Sequence, residues 1–149
     1  MSTYRNILVV VDLSADSHPI IDRAQALAAP ATLTLMHVVE YVPLEPMGET
    51  LLPAMQIEGE LVKRATEKLA QLAAVHGLQD SRQIVAVGSI KAEIQHTAVE
   101  MGADLIVVGN HARHGLKALV NFTEDAVLHT ASCDVLAVHL PHAAAGIKT

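Results

Sequence analysis

The residues best placed to do chemistry lie in the stretch VVGNHARHGLKALVNFTEDAV, residues 107–127. An apolar run breaks at Gly109 and enters a polar loop, the arrangement by which strand-to-helix loops offer backbone N–H groups to a phosphate. Arg113, His114 and Lys117 could add positive charge there. The later glycines that let a backbone approach a phosphate closely are missing. The loop is therefore either a nucleotide site or the remains of one. His111 and His114 have a spacing that can suit a metal, but no carboxylate or cysteine stands close in sequence. Water-exposed loop histidines are the simpler reading, and no metal site is expected.

Other reactive side chains point less sharply. Asp12 ends an apolar run, where it could hydrogen-bond a ligand or cap the following turn. Cys133 has no CxxC partner and no nearby histidine in sequence, which reads as an inert thiol. Ser14 and Ser89 read as helix caps. His18, His76, His96, His129 and His142 are expected on helix surfaces, helix ends or the tail, where titration has no consequence. His37 and His139 fall within predicted strands and must be hydrogen-bonded if buried. No Ser-His-Asp, paired-carboxylate or metal-hydrolase spacing rises above chance, so no enzyme activity is expected.

These residues must be held by something, and composition limits what. A chain of 149 residues suits one domain, taken as residues 1–149 with a frayed tail from about residue 141. Hydrophobic residues make up 51% and aromatics only 2%, so Val, Leu, Ile and Ala must fill the interior, as in a parallel sheet covered by helices. Net charge is −6 and the ten Lys and Arg are scattered, which disfavours a nucleic-acid partner. One cysteine cannot form an internal disulfide. The N-terminal apolar run is broken at Asp12, too short for a signal peptide or membrane span, so the expectation is a cytoplasmic chain with no membrane insertion.

Apolar patterning then gives the elements. Residues 6–12 form a β-branched run suited to a strand covered on both faces. A helix follows, with Ile20, Ile21, Ala24, Leu27 and Ala28 at helical spacing, stopping at Pro30. Residues 32–40 give a second strand. The stretch from Tyr41 to Pro53, with three prolines and a glycine, reads as an irregular loop whose placement over any cleft is not legible. A second helix spans 54–76, with Ile57, Leu61, Ala65, Leu69, Leu72 and Ala73 on one face and Gly77 behind it. A strand over 82–88, a helix capped by Ser89 and closed by Gly102, a strand over 103–109, a helix ending at 123–130 and a strand over 134–140 complete the chain. The fold class is α/β: one five-stranded, mostly parallel sheet with helices on both faces. Ligands of such sheets bind at the carboxyl ends of the strands, where strand order reverses. That edge gathers residues 12–14, 38–40 and 109–115.

Four segments, NILVVVDLSADS, LTLMHVV, MGADLIVVGNHARHG and ASCDVLAVHL, together resemble the universal stress protein family. The resemblance runs from about Tyr4 to Leu140. It implies strand order 3-2-1-4-5 and dimerisation through the last strand. ATP-binding members carry Gly, two residues, Gly, nine residues, then Gly with Ser or Thr. On this chain those positions fall on Gly109, Ala112, Phe122 and Thr123, so two of the three glycines are absent; Gly115 lies three residues beyond the place required. The chain resembles the universal stress protein A branch, whose members do not bind ATP. Asp12 corresponds to the position that contacts adenosine in binders.

The resulting expectation is a non-catalytic stress-response protein with a degenerate nucleotide cleft and unidentified protein partners. It would be a homodimer through the last strand, Val135 to Leu140, which would otherwise present an unpaired edge. Whether dimers pair further into tetramers is left open. No cofactor is expected, though ATP is possible. The alternative is an ATP- or AMP-binding regulatory module that uses Asp12, Val39, Gly109, Asn110, Arg113 and Thr123.

Overall fold

The computed structural model describes residues 4–40, 51–110 and 133–140, with residues 51–55 described as backbone alone. Ile7, Leu8 and Val9 are all fully buried, so both faces of the first strand meet protein, as a continuous β-branched run requires. Five strands form one parallel sheet: β1 (Ile7–Val10), β2 (Leu33–Val39), β3 (Arg82–Val87), β4 (Leu105–Asn110) and β5 (Asp134–His139). Their order is β3-β2-β1-β4-β5. In register, Ile7 lies opposite both Leu33 and Leu105, and Leu105 lies opposite Asp134.

Among the described residues the α-helices are α1 (Ser17–Leu27), α2 (Leu51–Val75) and α3 (Ile90–Met101). On one face of the sheet, Ile7, Val9 and Leu35 pack with Ile20, Ile21 and Ala24 of α1 and with Leu69, Leu72 and Ala73 of α2. On the other, Leu8, Met36, Val38 and Ile106 pack with Ile94 and Ala98 of α3. Each fully buried Val, Leu, Ile or Met side chain among these contributes about 1.5–3 kcal/mol. The predicted helix ending at 123–130, the loop over residues 41–50 and the tail from 141 lie outside the described residues.

The end signals of α3 act as read. Ser89 Oγ accepts from the Ala92 N–H at 3.4 Å, and Gly102 takes the left-handed conformation at φ 68°. Two other expectations need correction. Ser14, read as a cap, lies ahead of α1, whose N-cap is Asp16 without a side-chain cap bond; Ser14 Oγ instead accepts from the Asp16 N–H at 3.2 Å. Helix α2 starts at Leu51, three residues earlier than predicted, since Pro53 falls in the first turn where its missing N–H has no intrahelical partner to lose. At 25 residues α2 is about 37 Å long, against about 23 Å for the seven residues of β2. The helix overshoots the sheet, and Ile57, expected on the core face, is 51% exposed.

A carboxylate sets how β1 enters the sheet. Asp104, just ahead of β4, accepts from the backbone N–H groups of Arg5 and Asn6 at 2.9 and 3.0 Å, and its own N–H donates to the Asn6 carbonyl at 2.8 Å. The Asn6 side-chain amide donates to the Met101 carbonyl. Burial acts to raise the Asp104 carboxyl, but the N–H donors of Arg5 and Asn6, with Asp104's own N–H and the Arg5 charge, outweigh it and hold the group below its ordinary value. A depressed carboxyl adds stability that is fully present above the unfolded value, about 3.9, and lost as pH falls through the lower folded one. Asp104→Ala is expected to lower stability at neutral pH by about 1–2 kcal/mol, the scale of hydrogen bonds to a partly water-screened carboxylate. Urea denaturation should show that deficit narrowing below about pH 4, where the parent loses the same contribution.

Candidate functional site

Strand β1 is the shortest of the five, and its early end shapes the carboxyl edge of the sheet. Val10 lies opposite Met36, so β2 runs three residues further, to Val39. Val9 lies opposite Val107, so β4 likewise runs on, to Asn110. The Val11 N–H still donates to the Met36 carbonyl at 2.9 Å, after which the chain leaves the sheet. A notch results, with the β1–α1 turn as floor and the ends of β2 and β4 as walls. It lies where strand order reverses, the position at which open α/β sheets take ligands.

Asp12 organises the floor. Its Oδ1 accepts from the Ser14 N–H at 2.9 Å, the Ser14 hydroxyl at 2.6 Å and the Ser17 hydroxyl at 3.3 Å. Ser17 is fully buried at the start of α1. Between them Leu13 adopts φ 68°, a left-handed conformation that costs a residue with a Cβ about 1–2 kcal/mol. The turn-capping role of Asp12 is thus built into the structure. His37, on β2, closes the floor from the side: its Nδ1 lies 2.9 Å from the Val11 carbonyl, which can only accept, so Nδ1 carries the proton and Nε2 is the acceptor of the neutral ring. The expectation that a strand histidine needs a partner holds for His37. Nothing in the sequence signals the strained Leu13.

Val39 is buried and its carbonyl accepts from the Gly88 N–H at 3.1 Å. Gly109 and Asn110 are half-buried at the end of β4, and the Asn110 carbonyl accepts from the Leu140 N–H at 3.3 Å. The sheet therefore brings four of the six candidate residues, Asp12, Val39, Gly109 and Asn110, to one edge. Arg113 and Thr123 lie outside the described residues, as do Ala112, Phe122, His111, His114, Gly115 and Lys117.

Away from the notch, burial first, and then the charges of Asp134 and Asp104, push the half-buried Cys133 thiol up. Such a thiol stays protonated and is a poor nucleophile. The Tyr4 hydroxyl donates to Asp134 Oδ2 at 2.8 Å, which ties the chain ahead of β1 to the start of β5 and raises the phenol. Among the described residues no three His, Cys, Asp or Glu side chains are grouped to hold a metal ion, and no helix is long and apolar enough to cross a membrane. His18 lies exposed on α1 and His76 directly after the end of α2, on a helix surface and a helix end as expected, and their rings meet at 2.8 Å.

Residues 3–139 match the universal stress protein family. The chain is 36% identical over 143 residues to Universal stress protein A homolog 2 of Coxiella burnetii, covering 94% of this chain and 98% of that one. It is 38% identical over 138 residues to homolog 1 of the same organism, covering 91% and 96%. Among solved structures it is similar to a universal stress protein crystallised in complex with cAMP, with TM-score 0.58, 26% identity, and 93% and 98% of the two chains covered.

Proposed function

The chain belongs to the universal stress protein family, and on that premise we propose that it is a non-catalytic cytoplasmic homodimer whose strand-edge cleft has lost its standard hold on a nucleotide's phosphates. It acts through protein partners that read the dimer. The observation that carries this reading is the notch itself. Its floor and walls, Asp12, Val39, Gly109 and Asn110, are in place, while the loop that would grip phosphate carries Ala112 and Phe122 where two glycines belong. An aromatic side chain at the third glycine position would clash with a phosphate approaching backbone N–H groups or force the loop elsewhere.

A second reading has its own support. The similar structure in complex with cAMP holds a nucleotide with a single phosphate, and such a ligand asks less of the loop than a triphosphate does. In that reading Asp12 and Val39 take the nucleoside, Arg113 and Thr123 take the phosphate, and occupancy controls assembly or partner choice. No resident cofactor is expected in the first reading, and ATP or AMP would be the ligand in the second.

Assembly is testable apart from ligand. Among the described residues, strand β5 pairs with β4 on one side and ends the sheet on the other, so its second edge offers N–H and C=O groups for pairing. Pairing with its own copy about a two-fold axis satisfies both chains at once. Sedimentation equilibrium at micromolar concentration is expected to give twice the chain mass with or without added nucleotide. A monomer across that range would remove the dimer from the proposal.

A further inference from the structure

His18, Asp22 and Gln25 stand at i, i+4 and i+7 along α1, a spacing that places them on one stripe, and all three meet His76. His18 Nδ1 lies 2.8 Å from His76 Nε2, His76 Nδ1 lies 3.3 Å from Asp22 Oδ1, and the Gln25 amide donates to the His76 carbonyl at 2.9 Å. His76 is carried to this spot by the turn that closes α2. The Leu78 N–H donates back to the Ala73 carbonyl at 2.7 Å, and Gly77 supplies the left-handed residue at φ 73°. The His76 side chain is only 9% exposed, whereas Asp22 reaches out at 69%.

The ring geometry fixes the proton arrangement. Centroids 5.0 Å apart with facing nitrogens at 2.8 Å put the two imidazoles nearly end-on, so one lone pair meets one N–H. The Asp22 carboxylate can only accept, so His76 Nδ1 carries the proton on that side. A neutral His76 then presents a bare Nε2, and His18 Nδ1–H fills it.

We propose that the His18–His76 contact, backed by Asp22, is a proton-gated latch between α1 and the end of α2. The latch holds while His76 Nε2 is bare, including when His18 takes a proton on its own Nε2. It releases when both rings are protonated, because two N–H groups then face each other across a distance only a hydrogen bond tolerates.

Charged groups stand around the pair. Asp22, on α1, is 3.3 Å from His76 Nδ1. Lys68, on α2, lines with His18, Leu13 and Gln71 a depression of about 270 Å³ between the helices. The Asp12 and Asp16 carboxylates sit in the turn just ahead of His18. That turn is continuous with the latch, since the His18 N–H donates to the Ala15 carbonyl at 3.2 Å. Release therefore loosens the first turn of α1 and opens the depression beside it.

The test uses the full-length chain labelled with ¹⁵N. A scalar coupling across the N–H···N bond between His18 and His76 is expected at about pH 8 and is expected to vanish at about pH 5, either side of the ordinary histidine range. Protection factors for amides in the first turn of α1 should fall about fivefold over the same interval, the scale of one net hydrogen bond. In His18→Ala, a substitution at an exposed residue, those amides should already sit at the lower value at about pH 8 and show no further step on acidification. Absence of the coupling at the higher pH, its persistence at the lower one, or a full pH step retained by His18→Ala would each overturn the latch.

Discussion

Asp12→Ala is expected to lower unfolding stability by about 1–3 kcal/mol, the largest effect of any single substitution at the notch. The carboxylate accepts from three donors, and they are not equal. The Ser14 N–H and hydroxyl lie near water and recover part of their bonding from solvent. The Ser17 hydroxyl belongs to a fully buried residue and is left without its acceptor. Leu13, held at φ 68° between them, then has less to offset its strain. A chain of this size loses about 2–4 °C of Tm per kcal/mol, so thermal unfolding should register the change clearly. Asp12→Asn keeps an acceptor oxygen in the same place and is expected to recover most of the loss. An alanine variant within about 0.5 kcal/mol of the parent, the ordinary range for surface substitutions, would show that the turn stands without Asp12.

The paired substitution Ala112→Gly with Phe122→Gly is expected to raise affinity for Mg·ATP at least about tenfold, or about 1.4 kcal/mol. Glycine in a phosphate loop allows close backbone approach, left-handed φ, or both. A methyl group at 112 would be tolerated more readily than a benzyl group at 122, which would clash with an approaching phosphate or force the loop elsewhere. Most of the gain is therefore expected from Phe122→Gly alone and little from Ala112→Gly alone. Thr123 supplies the hydroxyl that follows the third glycine in binders and is left unchanged.

The sheet was legible because its strands are continuous apolar runs, and the ends of α3 because Ser89 and Gly102 do one job each. The notch was legible only as an edge. Its depth depends on where β1 stops, and VVVD is apolar through Val11, whose N–H still bonds to Met36 after the strand has ended at Val10. Pattern also misplaced Ile57, since helical spacing cannot tell that a long helix overshoots the strands beneath it. The His18–His76 pair was invisible for a different reason. The residues are 58 apart in sequence, and only the packing of α1 along the last turns of α2 brings them together. Four of the six candidate cleft residues follow from topology. Arg113 and Thr123 rest on the family pattern alone, because they lie outside the described residues.

Everything proposed for the cleft turns on whether residues 109–123 still hold a triphosphate. Calorimetric titration of Mg·ATP into the purified parent and the Ala112→Gly, Phe122→Gly variant, side by side, reads this directly. The expected result is binding weaker than micromolar for the parent and a clear gain for the variant. Micromolar binding by the parent, unchanged or weakened in the variant, would contradict the lost phosphate grip and leave the nucleotide-regulated reading in its place.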